Sequence, residues 1–62
     1  MKNNDAVKKA MRAGTRDMDL FLTDGSIVTG KLFMNTMDFI LVTQPYGNAT
    51  VYKRDVRHVE YV

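Results

Sequence analysis

The chain of 62 residues contains no cysteine and no tryptophan, a single proline and a single histidine. Without cysteine there is no disulfide staple and no thiolate metal site. With His58 as the one imidazole, a histidine cluster around a metal within one chain is excluded. No cofactor is therefore expected. A Gly-rich phosphate loop and a Ser–His–acid set are also missing, and the seven acids are scattered, so an enzyme is not expected. The longest apolar run, Phe39-Ile40-Leu41-Val42, is far short of the roughly 20 residues of a membrane span. Neither a membrane nor a small-molecule substrate is an expected partner, and a chain free of cysteine fits the cytoplasm.

A domain of this size buries only about 60% of the surface its unfolded chain exposes. Small domains usually add a disulfide, a metal or self-association, and the first two are excluded here. Identical subunits are thus the expected partners on size alone. The net charge of +2 is unevenly spread. Residues 1–16 carry Lys2, Lys8, Lys9, Arg12 and Arg16 against Asp5, whereas residues 17–62 carry four cations against six acids. A basic segment on a mildly acidic body gives one positive face, which would attract polyanions if repeated around an assembly. A solvated helix surface would leave the same pattern.

The stretch Leu20 to Val42 organises the fold. Leu20, Leu22, Val28, Leu32 and Met34 recur at even spacing, the period of half-buried strands. Asp24-Gly25 and Asn35-Thr36 are the expected tight turns. Gly30 interrupts the apolar row in mid-strand, which marks a bend or a close backbone approach of the kind found in small curved barrels. Before this stretch, a helix over about residues 4–13 is expected, capped by Asn3 or Asn4 and stopped by Gly14. Val7, Ala10 and Met11 would face inward, and Lys8, Lys9 and Arg12 outward. Strands are expected over about 18–23, 26–34, 37–44, 49–53 and 56–61, with Pro45-Tyr46-Gly47-Asn48 as a turn. The whole chain reads as one domain, mainly β, with a short N-terminal helix and a strongly bent five-stranded antiparallel barrel.

Three segments carry a family resemblance. They are Leu20-Phe21-Leu22-Thr23-Asp24-Gly25, then Gly30-Lys31-Leu32, then Val51-Tyr52-Lys53-Arg54 ahead of the last strand. Together they resemble the two motifs of the Sm family, closest to its bacterial Hfq-like members, over about residues 5–62. Arg54 stands where those members carry a histidine. The resemblance implies a ring of five to seven identical subunits, closed by pairing the fourth strand of one copy with the fifth of the next. It also implies non-catalytic binding of single-stranded U-rich or A-rich RNA, as an RNA chaperone does.

Carried over residue by residue, the resemblance gives two RNA faces and a basic helix. Met37, Asp38, Phe39, Tyr52, Lys53 and Arg54 would form the pore face. Phe21, Gly25 and Thr29 would form the opposite face, with Phe21 as the stacking ring. Lys8, Lys9 and Arg12 would supply the basic helix surface. Counted from Gly25 without a gap, Met37 and Asp38 fall where Hfq-like members have a glutamine and a stacking aromatic, and Ile40 falls on the uracil-gripping asparagine of eukaryotic Sm proteins. A hairpin longer by two residues would instead make Phe39 the stacking residue. With the base pocket thus altered, a second expectation is a ring-shaped protein scaffold that no longer reads bases. On that view Phe21 packs at a subunit contact, and Lys53-Arg54 is a charged turn beside Asp55.

Overall fold

The computed structural model describes residues 2–62, with side chains from Asp5 onward. One helix, α1 (Lys2–Met11), precedes five strands: β1 (Asp17–Leu22), β2 (Ile27–Asn35), β3 (Phe39–Gln44), β4 (Gly47–Tyr52) and β5 (Val56–Tyr61). A single 3-10 turn, Lys53–Asp55, joins the last two. The strands form one antiparallel sheet in the order β4-β3-β2-β1-β5. β4 and β5 are therefore its two edges.

Helix α1 covers residues 2–11 rather than 4–13, so Asn3 and Asn4 lie within it. Whether either side chain caps the helix lies outside the described residues. The helix packs on β5 with Ala6 and Ala10 buried and Val7 partly buried beside them, and Ala13, just past its end, is buried in the same core. Met11, expected inside, is exposed. Two alanines four apart bring the helix backbone close to the strand, and a longer side chain at position 11 falls outside that stripe. Gly14, at φ +62°, ends the segment in the left-handed region, as its place in the sequence predicts.

The core consists of those alanines with Met18, Leu20, Ile40, Val42, Val51, Val56 and Val59. Each fully buried side chain of this size contributes about 1.5–3 kcal/mol. Among the described residues no charged or polar side chain is buried with them. Strand alternation fixes the arrangement, since Met18 and Leu20 point in while Asp17 and Asp19 do not.

Gly30 sets the shape of the sheet. Its neighbour Met18 lies on β1, and the next residue of β2, Lys31, pairs with both Asp17 on β1 and Thr43 on β3. A Cβ at position 30 would sit 2.1 Å from the Thr43 carbonyl oxygen and 2.7 Å from Val42 Cγ1. This is the close approach that a mid-strand glycine announces. Gln44 Nε2 donates to the Thr29 carbonyl at 3.2 Å, so a side chain reaches across where β3 and β2 part.

Two turns differ from expectation. The β2–β3 hairpin has its tip at Met37-Asp38, not at Asn35-Thr36, and β3 begins at Phe39 rather than at 37. Thr36 N–H donates to the Phe39 carbonyl at 2.9 Å, and the Thr36 hydroxyl both donates to that carbonyl and accepts from Phe39 N–H. A threonine able to bond both backbone groups of Phe39 moves the turn two residues along. The pairing also shifts between Leu32 and Met34, leaving Phe33 as an extra residue. The shift breaks the even apolar row, so Met34 is exposed instead of buried. At the β3–β4 turn only Pro45-Tyr46 lie outside the strands, and β4 starts at Gly47.

Candidate nucleic-acid interface

The β2–β3 tip and the end of β4 meet at one end of the molecule. Phe39 and Tyr52 are cross-strand partners. Their rings sit edge to face, 5.9 Å between centroids at 70°. Both alternate with the core residues Ile40 and Val51, so both lie on the side of the sheet away from the core. The Arg54 guanidinium lies 5.2 Å from the centre of the Tyr52 ring. Lys53 N–H donates to the Asp38 carbonyl at 2.9 Å, tying the 3-10 turn to the hairpin tip. Met37 projects from that tip, 90% exposed.

Thus Met37, Asp38, Phe39, Tyr52, Lys53 and Arg54 share one neighbourhood, although twelve residues lie between its two halves in sequence. Chemically the cluster offers an aromatic surface, two cations and a carboxylate. Rings with adjacent cations take unpaired bases by stacking and phosphates by charge, largely without regard to base identity. Phe39, not Asp38, supplies the ring beside Tyr52. Sequence reasoning missed Phe33, 60% exposed, and Met34, 48% exposed, which the register shift puts on the outer side. The signal available for them was a run of four large residues, Lys31 to Met34, too dense for clean alternation.

The opposite-face residues are less cohesive. Phe21 is half-buried and pairs across β1–β5 with His58, their rings 5.4 Å apart at 48°. The Thr29 hydroxyl donates to Asp19 Oδ1 at 2.8 Å. Gly25, at φ +90°, belongs to the β1–β2 turn, beyond the last pair Phe21–Ile27. In that turn Asp24 accepts from the Ser26 hydroxyl at 2.6 Å and from Ser26 N–H at 2.9 Å. These two bonds hold the Asp24 carboxyl below its ordinary pKa, the hydroxyl contributing most.

Acids dominate this part of the surface. Asp17 is paired with Lys31 at 2.8 Å, but Asp19 and Glu60 stand directly opposite one another on β1 and β5. Glu60 is in contact with His58 Nε2 at 2.8 Å. That hydrogen bond, then the charge of His58 and of Lys9, lowers the Glu60 pKa.

Lys8 and Lys9 on α1, and Arg12 just past its end, are exposed as expected. Lys9 is also part of a clasp. The Tyr61 hydroxyl donates to the Lys9 carbonyl, and the Lys9 ammonium and Arg16 guanidinium lie 5.3 Å and 4.4 Å from the Tyr61 ring centre. Two open clefts flank these elements. One, about 400 Å³, is lined by Asp17, Thr29, Lys31, Thr43 and Gln44 above Gly30. The other, about 230 Å³, lies between α1 and β5.

Among the described residues no three His, Asp or Glu side chains are grouped to hold a metal ion, and no helix is long and apolar enough to cross a membrane. The chain matches no protein-family model and no curated protein sequence.

Proposed function

We propose that this chain is an Sm-like protein, akin to the Hfq-like members of that family, that assembles into a ring and binds single-stranded RNA without catalysis in the cytoplasm. The observation that carries the proposal is the convergence of Phe39, Tyr52, Lys53 and Arg54 at one end of a five-stranded sheet with two edges. Stacking on a ring is worth roughly 1–3 kcal/mol per base, and each phosphate neutralised adds a salt-dependent increment. Copies of the cluster around a ring would act on one strand together.

Self-pairing of edges is supported by the contrast between them. β4, Gly47–Tyr52, carries no charged residue and no proline. β5 carries Arg57, His58 and Glu60, a register shift opposite Phe21–Leu22, and α1 packed against it. Charges and bulges keep an edge from promiscuous pairing, and β4 has neither. An unguarded edge at one end of the sheet order and a guarded one at the other suit selective pairing of unlike edges in successive copies.

Titration of labelled oligo-U and oligo-A against the chain, with the native mass of the particle measured in parallel, tests this. Binding by a multimer is expected, and K53A with R54A should weaken U-rich binding and flatten its dependence on salt. Absence of binding at low salt would refute an RNA function. A protein scaffold is the second reading, favoured by one specific feature: Phe33, Met34 and Met37, at the end of β2 and the hairpin tip that follows, are all exposed. A multimer that ignores both oligonucleotides would favour it.

A further inference from the structure

Rings and cations at the β2–β3 tip account for a stacked base and its phosphate, but they leave the Asp38 carboxylate without a role. An acid beside two cations weakens the attraction of a polyanion, so phosphate binding alone gives no reason for it. Asp38 is exposed, and among the described residues no hydrogen bond or ion pair engages its side chain. Its backbone, in contrast, is anchored at the peptide bond to Phe39. The Asp38 carbonyl accepts from Lys53 N–H at 2.9 Å, and Phe39 N–H donates to the Thr36 hydroxyl at 3.1 Å. Position 38 precedes β3 and Lys53 opens the 3-10 turn, so strand alternation does not hold either side chain to one face. An unengaged carboxylate therefore stands on a fixed backbone, one residue from the Phe39–Tyr52 pair and across from Lys53.

We propose that Asp38 reads the identity of the base held at this cluster and selects guanine. The inference rests on the RNA function argued above and deepens it, since it names the base that the same site prefers. An ionised carboxylate accepts on two oxygens and donates nothing, whereas the lysine and arginine beside it only donate. Guanine presents two adjacent donors, N1–H and the N2 amine, that match the two oxygens of one carboxylate. Its O6 and N7 acceptors lie on the far side of those donors and suit cations. Uracil offers a single donor, N3–H, between two carbonyl oxygens, and both of those oxygens would meet the lone pairs of the carboxylate. Adenine and cytosine each offer one amine next to an acceptor nitrogen, so one carboxylate oxygen is left facing a lone pair. A site whose polar groups go unmatched rejects a base more strongly than stacking can favour it. The carboxylate that weakens attraction to phosphate thus gives the cluster its selectivity.

The test measures binding of short labelled oligo-U carrying a single central guanosine, adenosine, cytidine or inosine, at neutral pH and fixed ionic strength, to the wild-type chain and to D38N and D55N. For the wild type, the guanosine strand should bind about tenfold tighter than the adenosine and cytidine strands, the scale of one bidentate pair. Inosine keeps N1–H and O6 but lacks the N2 amine, so its strand should lose most of that advantage. This comparison needs no variant. D38N turns one acceptor into a donor at the same size, so it should weaken the guanosine strand and leave the others equal or tighter. Asp55 ends the same 3-10 turn, but its carbonyl is tied to Thr23 N–H at 2.8 Å, on the side of the β1–β2 turn. D55N therefore removes an equal charge nearby and should keep the preference. A thermal melt confirms that each variant is folded. A wild type that binds every strand equally, an inosine strand as tight as the guanosine strand, or a D38N chain that gains affinity for all strands alike overturns the readout and leaves the RNA function standing. Failure of every strand at low salt overturns the RNA function itself, and the readout with it.

Discussion

Gly30 is the residue on which the sheet turns. Its hydrogen occupies space that a methyl group cannot, with the Thr43 carbonyl 2.1 Å and Val42 Cγ1 2.7 Å from the place a Cβ would take. The first obstacle is backbone and the second is a fully buried side chain, so neither yields cheaply. Gly30→Ala should destabilise the fold by about 2–3 kcal/mol or more, the range of overpacked cores. Denaturant unfolding measures this directly, and a midpoint equal to wild type would refute the close approach. Gly25 is a different case. It has open space around it, and only its positive φ favours glycine.

At the scale of elements, the two sheet edges and the β2–β3 hairpin decide what the molecule presents outward. The hairpin is held by the paired bonds of Thr36 to Phe39, and its register shift brings Phe33 and Met34 to the surface. β4 offers an uncharged strand to a partner. Thr50, exposed in mid-strand, is the place to guard it. Thr50→Lys is expected to lower the native mass toward that of one chain while leaving the circular dichroism spectrum intact. An unchanged assembly would show that β4 is not the contact strand. The helix is held less by its own length than by β5, through Ala6 and Ala10 and the Tyr61 clasp.

At the scale of the whole molecule, charge is divided by region: cations on α1 and at the 3-10 turn, acids on the β1–β5 face. Acid stability follows from two carboxylates. Asp24 and Glu60 both have pKa values lowered in the folded state, by Ser26 and by His58 respectively. A carboxyl that is easier to ionise when folded binds its proton more tightly when unfolded. Its contribution is present above the ordinary carboxylate range and is lost as pH falls through the lowered values. Both groups are fully exposed, so the effect is small. Thermal melts taken from neutral pH downward should show Tm falling below about pH 5, and a Tm that rises on acidification would contradict the assignment. Ser26→Ala removes the larger of the two bonds on Asp24 and should reduce the acid-dependent part of that fall.

Much of the architecture could be read along the chain. Even spacing of apolar residues, the turn signals at Asp24-Gly25 and Pro45-Tyr46 and the glycine at position 30 dictate short strands, an inward face at Met18 and Leu20, and one sharp approach, because period and steric exclusion are local properties; which face of Phe39 to Val42 turns inward, Ile40 and Val42, was left to the fold. The single histidine and the lack of cysteine likewise limit the chemistry without any coordinates. What folding alone decided is register and neighbourhood. A threonine that bonds both ways to Phe39 moved the hairpin tip to Met37-Asp38, and one extra residue at Phe33 turned Met34 outward. Pairing of β1 with β5 set His58 against Phe21 and Asp19 opposite Glu60. These contacts join residues 37 and 41 positions apart, and a one-residue change in pairing would send each side chain to the other face of the sheet.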